Sequence, residues 1–273
     1  MEALRKKAKE LLECGAVKVV IGYGPGSTPD RTRPLFARTP ADADKLILTD
    51  ACLQNLAAYL LKPEVKALGK PAVVCQRAAL RTLLQYAAEN QLADESFIAL
   101  AVTNSHKDAA GEVKELPNLA AIEEHLATLP RGIAEKDRAE IAKIDAMSRA
   151  ERWAFWQAEM ARCIKCYACR AACPLCYCTR CVTDNNQPQW LPVASDPFGN
   201  LEWNIVRAMH LAGRCIDCGS CAAACPQNVR IDLLNHVLAA AALEQFAAEP
   251  GYTTRKEYAL ASFKPDDKED FIR

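Results

Sequence analysis

Short apolar runs alternate with segments of helical periodicity along the first 130 residues. The runs are rich in β-branched residues and are bounded by breaker residues, which is typical of buried strands. Between the later runs, Leu80, Leu83, Leu84 and Ala87 recur at the spacing of one helical face. Strands that alternate with helices predict an α/β domain with a mostly parallel sheet, covered on both faces. The predicted strands are residues 17–23, 45–49, 71–75 and 97–102, and the predicted helices are residues 53–61 and 77–90.

Residues 131–162 form a predicted helical connector. A charged helix over residues 134–147 is followed by Ser148 and Glu151, which have the spacing of a capping box. An apolar stripe then follows on one face of the second helix. We expect this stripe to pack against the next domain, and a partner-docking surface is the alternative. Its members are Trp153, Trp156 and Met160.

Residues 163–247 contain an internal repeat. The sequence CIKCYACRAACP at residues 163–174 returns as CIDCGSCAAACP at residues 215–226, with every Cys, the first Ile and the closing Pro in register. The insert at residues 175–214 ends in a predicted helix, residues 201–212, with Asn200 as its N-cap and Gly213 as its stop.

The repeat divides the chain into four parts. An α/β domain at residues 1–130 and the connector precede an α+β ferredoxin-like dicluster domain at residues 163–247, which has a long insert and flanking helices. Its last helix is predicted over residues 231–247. Residues 248–273 form a tail, whose charged end FKPDDKEDFIR is expected to be exposed or laid on a partner.

Each copy of the repeat is the C-x2-C-x2-C-x3-C-P run of bacterial ferredoxins. In this run, three thiolates wrap one [4Fe–4S] cluster, and the fourth Cys reaches the other cluster. Zinc is the alternative, but zinc sites favour separated pairs of Cys or mixtures with His. Two low-potential, one-electron clusters are therefore predicted. Cluster one takes Cys163, Cys166, Cys169 and Cys225, and cluster two takes Cys215, Cys218, Cys221 and Cys173.

Six of the 14 cysteines lie outside this assignment. Cys176, Cys178 and Cys181 follow the first run closely, and such a density of thiols is unusual. One interpretation is a third centre, such as a third [4Fe–4S] cluster, with Cys75 or Cys52 as its fourth ligand. The alternative is a set of inert thiols near a cluster.

Composition narrows the classes of function. The 34 basic and 34 acidic residues balance, which disfavours a nucleic-acid partner, since binding to nucleic acid needs a basic surface. No apolar run approaches the roughly 20 residues of a membrane span. The start, MEALRKKAKELLE, predicts an amphipathic helix rather than a signal peptide. A cytoplasmic protein is expected, and its clustered cysteines then point to metal binding.

Motifs of ordinary enzyme chemistry are weak. The four His are scattered, and each is expected to be a surface or structural residue: His106, His125, His210 and His236. The stretch GYGPGS at residues 22–27 could cradle a phosphate, but it matches neither a dinucleotide fingerprint nor a P-loop. A loop broken by Gly and Pro is the favoured interpretation.

The chain as a whole resembles iron–sulfur subunits related to the coenzyme F420-reducing hydrogenase/dehydrogenase beta family. It is most similar to members that accompany formate dehydrogenases, hydrogenases and heterodisulfide-reductase-like complexes in anaerobes. The resembling stretches are LLECGAVKVVIGY, ACLQNLAAYL around Cys52, VVCQRAALRTL around Cys75, RCIKCYACRAACPLCYCTRC and HLAGRCIDCGSCAAACP.

The resemblance implies an electron-relay subunit of a larger cytoplasmic redox complex. It also implies that Cys52, Cys75 and the group from Cys176 to Cys181 share one neighbourhood, which favours a third centre. Beta subunits that reduce F420 carry flavin, but this sequence has no flavin fingerprint, so FAD is not expected. The alternative function is a catalytic reductase that uses a flavin or a nucleotide on the α/β domain.

Overall fold

A five-stranded mixed sheet organises the first part of the chain. The structure is a computed structural model, and it describes residues 1–102 and 112–254. The strand order is β2-β1-β3-β4-β5. The strands are β1 Val19–Pro25, β2 Thr32–Ala37, β3 Pro71–Cys75, β4 Ile98–Val102 and β5 Val113–Leu116.

Helices cover this sheet and form the rest of the described chain. Those of the first part are α1 Glu2–Glu13, α2 Pro40–Ala43, a 3-10 helix Leu56–Leu61, α3 Pro63–Lys66, α4 Arg77–Ala88 and α5 Leu119–Ala127. Those of the second part are α6 Glu135–Asp145, α7 Arg149–Ala161, α8 Ala168–Ala172, α9 Pro197–Leu211, α10 Ser220–Ala223 and α11 Ile231–Phe246.

The centre of the sheet is parallel and both edges are antiparallel. Strands β1, β3 and β4 pair in parallel, with Val73 opposite Ile21 and Ala99. Strands β2 and β5 pair antiparallel to β1 and β4. The predicted α/β domain is therefore found, but its sheet is parallel only in the buried middle, where apolar runs are continuous.

One predicted strand is wrong, and the two edge strands, β2 and β5, were not predicted. Residues 45–49 form no strand: Ile47 makes a single antiparallel bridge to Tyr23. Both sides of β1 are already paired, with β2 along one side and with β3 along the other over Val19–Ile21. Leu46 instead packs over Gly22, where a Cβ would lie 2.3 Å from the Leu46 Cδ2 atom. Strand β2 was not predicted because Pro34 interrupts its apolar pattern. A proline within a strand is tolerated at the edge of a sheet, where β2 lies.

Two further predictions in the first part need correction. The helix predicted over residues 53–61 is a 3-10 helix that begins only at Leu56, because the Asn55 side chain accepts a hydrogen bond from the Ala57 amide. The stretch GYGPGS is not a loop throughout, since its first four residues continue β1 to Pro25.

The connector is helical as predicted. Ser148 and Glu151 form a reciprocal capping box at the start of α7, with the Ser148 amide 2.8 Å from the Glu151 Oε2 atom. Met160 is buried and Trp156 packs against the same small apolar core. Trp153 is 52% exposed. The stripe thus packs at its far end and is open to solvent at its beginning.

The dicluster region is helical where the structure describes it. Within described residues 163–247 there is no β-strand, so the β part of the predicted α+β domain is not found there. The segments that flank the two Cys runs belong to α7 and α11, and the long insert supplies α9, which packs on both. In the described part of the chain, no helix is both long and apolar enough to cross a membrane. The tail end FKPDDKEDFIR lies outside the described residues.

Helix α9 begins four residues earlier than predicted. Asp196 is its N-cap and accepts hydrogen bonds from the amides of Phe198 and Gly199. Pro197 occupies the first turn, where its missing amide costs nothing. Asn200, the predicted cap, is inside the helix and donates to the Cys163 carbonyl instead, at 2.6 Å.

We expect Asp196→Ala to lower the free energy of unfolding by about 1 kcal/mol, which is the usual cost of an N-cap side chain. Thermal unfolding of the holoprotein, followed by circular dichroism, measures this change. Glu202→Ala is the matched control, because Glu202 is exposed on the same helix. An equal loss in both variants would contradict the capping role.

Polar contacts join the α/β domain to the dicluster region. The Tyr86 hydroxyl donates to the Pro174 carbonyl at 2.7 Å, and Arg81 donates to the Ile216 carbonyl at 2.9 Å. The buried Glu89 carboxylate accepts two hydrogen bonds from Arg214, at 2.7 and 2.6 Å, and one from Tyr177. These contacts hold both Cys runs against helix α4.

Candidate metal centres

The two Cys loops repeat in backbone as well as in sequence. The second residue after the first Cys of each run, Lys165 and Asp217, has a left-handed conformation, with φ of 51° and 55°. Tyr167 and Gly219, two residues later, are also left-handed, with φ of 58° and 69°. Alternation of this kind turns successive amides toward one side and makes a concave, anion-binding loop. Each loop then enters a short helix, α8 or α10.

The first cavity is lined by both runs. Its cysteines are Cys163, Cys166 and Cys169 of the first run and Cys225 of the second. Trp203 and Asn204 of α9 complete the wall. This is the ligand set predicted for cluster one, including the Cys from the opposite run.

The second cavity has the reciprocal composition. Cys215, Cys218 and Cys221 line it together with Cys173 of the first run. These are the four ligands predicted for cluster two. The structure thus brings together each predicted set of four thiols, while ligation of a cluster by them stays a prediction.

The chemistry of these thiols fits a metal cluster. Burial raises the pKa of Cys215, of Cys218 and of Cys221. The pKa of Cys169 is also raised, chiefly by burial. Thiols in such surroundings stay protonated unless a cation replaces the proton, which is what iron does on binding. All described cysteines are free thiols.

Single-ion binding fits the geometry less well. A tetrahedral zinc site would draw four ligands to about 2.3 Å of one point. Among the described residues, no three His, Cys, Asp or Glu side chains are grouped closely enough for one metal ion. The cysteines instead surround a cavity, as ligands of a cluster do.

The insert fixes the first loop from outside. Ser195 and Asn200 both donate to the Cys163 carbonyl, at 2.8 and 2.6 Å. The Lys165 ammonium donates to the carbonyls of Pro192 and Ala194. The insert therefore does not simply loop out of the dicluster core, but covers the loop of the first cavity.

The α/β domain fixes the second loop. Asp217 is paired with His236 at 2.8 Å and with Arg81 at 3.5 Å. The Ser220 hydroxyl accepts a hydrogen bond from the Asn55 amide at 3.0 Å. His236 is buried at 5% exposure and lines the second cavity. The loop is thereby anchored by side chains of α4 and α11.

Arg207 of α9 lies between the two loops. It is 2% exposed, lines the second cavity, and donates to the Cys169 carbonyl of the first loop at 3.0 Å. Burial acts to lower the pKa of Arg207, but the neighbouring thiolates outweigh burial and the pKa is raised. The thiolates are those of Cys173, Cys221, Cys169 and Cys176.

The remaining six cysteines differ in burial and in their hydrogen-bond partners. Cys52 and Cys75 are buried in the α/β core, where Cys75 donates to the Val73 carbonyl and Cys52 accepts from the Thr49 amide. Cys176 shares a hydrogen bond with Cys173, which together with burial raises the pKa of Cys173. Cys178 and Cys14 are exposed, and Cys181 accepts from Thr183 at 3.3 Å. A third centre stays a prediction.

An open crevice of about 950 Å³ lies beside the second loop. Gln76 and Arg77, at the carboxyl end of β3, form one wall, and Cys218 and Gly219 form another. Charges of both signs also line it, with Lys136 and Arg230 beside Asp137 and Glu140. Ligands of α/β sheets bind at this end of the strands.

Sequence reasoning missed Arg207 and the pair of Asp217 with His236. His236 was expected to be structural or exposed, and it is a buried neighbour of the second cavity. A signal for Arg207 was present: Asn200, Asn204 and Arg207 recur at helical spacing on the buried face of α9. Polar residues that replace the apolar stripe of a helix indicate an inward-facing site. His106 lies outside the described residues, His125 is half-buried and His210 is exposed.

Comparison with known proteins matches the region that contains both Cys runs. Residues 162–230 match the family model of the 4Fe-4S dicluster domain. Over 81 residues the chain is 35% identical to the F420-dependent formate dehydrogenase subunit beta of Methanocaldococcus jannaschii. The match covers 30% of this chain and 21% of the relative, so the chain spans about a fifth of the length of that relative. The resemblance to iron–sulfur subunits of this kind is confirmed over the matched residues.

Proposed function

We propose that the chain is an electron-transfer iron–sulfur subunit with two [4Fe–4S] clusters. It relays low-potential electrons between a catalytic subunit, of the formate dehydrogenase or hydrogenase type, and a flavin-containing or heterodisulfide-reductase-like partner. The observation that carries this proposal is the reciprocal lining of the two cavities, each by three Cys of one run and the fourth Cys of the other.

The residues present suit the two groups. Cys163, Cys166, Cys169 and Cys225 would hold one cluster, and Cys215, Cys218, Cys221 and Cys173 would hold the other. When bound, such clusters supply one-electron carriers whose potential depends on charge, hydrogen bonding and exposure. The protein contributes the two loops with alternating left-handed residues, which form concave, anion-binding surfaces.

The two cavities differ in their access to partners. The first reaches the surface, since Cys166 is exposed and Ile164, which also lines the cavity, is 51% exposed. Val193 and Phe198 of the covering insert are also exposed. Three of the four cysteines of the second cavity, Cys173, Cys215 and Cys218, pack instead against the α/β core. This arrangement supports one end of the relay at the insert and the other at the α/β domain.

Anaerobic iron and sulfide analysis with EPR spectroscopy tests the proposal. About eight iron atoms per chain and two reduced-cluster signals are expected for two [4Fe–4S] clusters. About twelve iron atoms would add the third centre. A chain that binds zinc and no sulfide after reconstitution would contradict the proposal.

The open crevice favours a second candidate function, that of a catalytic flavin- or nucleotide-dependent reductase subunit. Its volume of about 950 Å³ suits a cofactor, and it joins the carboxyl end of β3 to the loop of Cys218. Flavin analysis of the purified chain separates the two functions. Stoichiometric FAD or FMN, reduced by a substrate, would establish the second.

A further inference from the structure

The guanidinium of Arg207 is a buried cation with incomplete partners. One nitrogen, Nη2, donates to the Cys169 carbonyl. The other two, Nε and Nη1, have no hydrogen-bond partner among the described residues. A buried cation without a partner is strongly unfavourable, so a compensating group is needed where these nitrogens lie.

The acids around Arg207 do not supply this compensation. Asp217 and Asp232 line the same cavity. Asp217 is paired with Arg81 and His236, and Asp232 is paired with Arg230 at 3.0 Å. Each of these carboxylates therefore has its own cation. The remaining groups near Arg207 that can carry negative charge are cysteines of both loops: Cys173 and Cys221 line the same cavity, and Nη2 of Arg207 donates to the Cys169 carbonyl.

We propose that Arg207 is a potential-setting residue shared by both clusters. The inference rests on the proposed function, because it concerns the groups that the eight Cys would hold. A one-electron reduction by an external donor adds one negative charge to the cavity that accepts the electron. A fixed cation beside both cavities stabilises that added charge and raises the reduction potential of both sites, since local charge is a main determinant of such potentials.

Arg207 belongs to the insert between the two Cys runs. Helix α9 reaches both loops with one side chain: its guanidinium lines the second cavity and bonds to the first loop. The insert, which a compact ferredoxin run does not need, thus provides a charge at the junction of the two cavities. Arg207 is a positioning and tuning residue, and it has no proposed contact with a substrate.

Redox titrations followed by EPR test this role in the anaerobic holoprotein, with dithionite as the reductant. Arg207→Gln is expected to shift the equilibrium constant for one-electron reduction at least tenfold toward the oxidised form at both clusters, which is a fall of about 59 mV. Arg207→Lys retains the charge and is expected to shift it less. Arg138→Gln removes one exposed cation from α6 and is expected to leave both potentials unchanged.

Iron and sulfide content distinguishes a failure of the proposed function from a failure of the role inferred for Arg207. A wild-type chain without clusters would overturn the proposed function, and this inference with it. Fully loaded Arg207→Gln protein with wild-type potentials would overturn the inference alone.

If the Arg207→Gln protein does not bind its clusters, a second measurement tests the inference. It uses wild-type protein whose arginine guanidinium groups are labelled with 15N. Hyperfine coupling of a guanidinium nitrogen to the reduced clusters is expected in this labelled wild-type protein. The coupling is expected to be lost in Arg207→Lys protein that holds its clusters. Absence of the coupling, or its persistence in the Arg207→Lys protein, would overturn the inference.

Discussion

Replacement of Cys173 by serine is expected to abolish the cluster held by the second Cys run, although Cys173 belongs to the first. The physical reason is that Cys173 lines the cavity of Cys215, Cys218 and Cys221. Iron content should fall from about eight to about four atoms per chain. EPR of the reduced protein should retain one signal, that of the cluster nearer the surface.

The reciprocal variant makes this test specific. Cys225→Ser lies in the second run and should remove the other signal, because Cys225 lines the cavity of Cys163, Cys166 and Cys169. Cys14→Ser is the matched control, since Cys14 is exposed at the end of α1 and should leave the iron content unchanged. If each run lost its own cluster with its own fourth Cys, the crossed assignment would be wrong.

Replacement of Glu89 by alanine is expected to lower the free energy of unfolding by about 3–5 kcal/mol, the cost of breaking a buried ion pair. The Glu89 side chain is 3% exposed and that of Arg214 is 17% exposed. The truncation removes the carboxylate that accepts two hydrogen bonds from Arg214. Urea unfolding of the holoprotein, followed by circular dichroism under anaerobic conditions, measures the loss.

A matched surface pair provides the control for Glu89. Glu135→Ala breaks the exposed pair with Arg138 and should cost at most about 1 kcal/mol. Equal effects of the two variants would show that the Glu89 pair contributes no more than a surface pair.

The effect of Glu89 should depend on pH. Burial acts to raise the pKa of this carboxyl, but hydrogen bonds from Arg214, Tyr177 and Gln85 outweigh it and hold the pKa below its usual value. A lowered pKa in the folded state stabilises the protein above the unfolded pKa of about 4.3. The stability difference between wild type and Glu89→Ala should therefore be constant near neutral pH and shrink as the pH falls below about 4. A difference that grew with acidification would contradict the ion pair.

The site was easier to predict from the sequence than the fold around it. The spacing identified the run of bacterial ferredoxins, and the rule that its fourth Cys reaches the other cluster placed Cys173 and Cys225 with the opposite runs. The same holds for β3, whose bounds, Pro71–Cys75, match the predicted residues 71–75. Both predictions rest on the pattern within a short stretch of sequence and do not require knowledge of distant partners.

Predictions that depended on distant partners were less successful. Residues 45–49 have the composition of a strand, but β1, which they approach, is already paired with β2 on one side and with β3 on the other. Asn200 has the chemistry of an N-cap, but Asp196 and Pro197 begin the helix earlier and leave Asn200 to bond to Cys163. The spacing of Arg207 places it on an inward-facing side of α9, but the groups around it belong to both runs and could not be identified from the sequence. Only the folded chain brings these groups together.

The shared lining of the two cavities has a consequence for biogenesis. The first cavity requires residue 225 and the second requires residue 173. Neither set of four thiols can assemble during synthesis until the second run has left the ribosome, to Cys221 for the second cavity and to Cys225 for the first. Until then, a nascent chain offers no cysteine of the second run to complete either set. If the eight Cys hold two clusters, as proposed, both are therefore expected to form only after the insert has been synthesised.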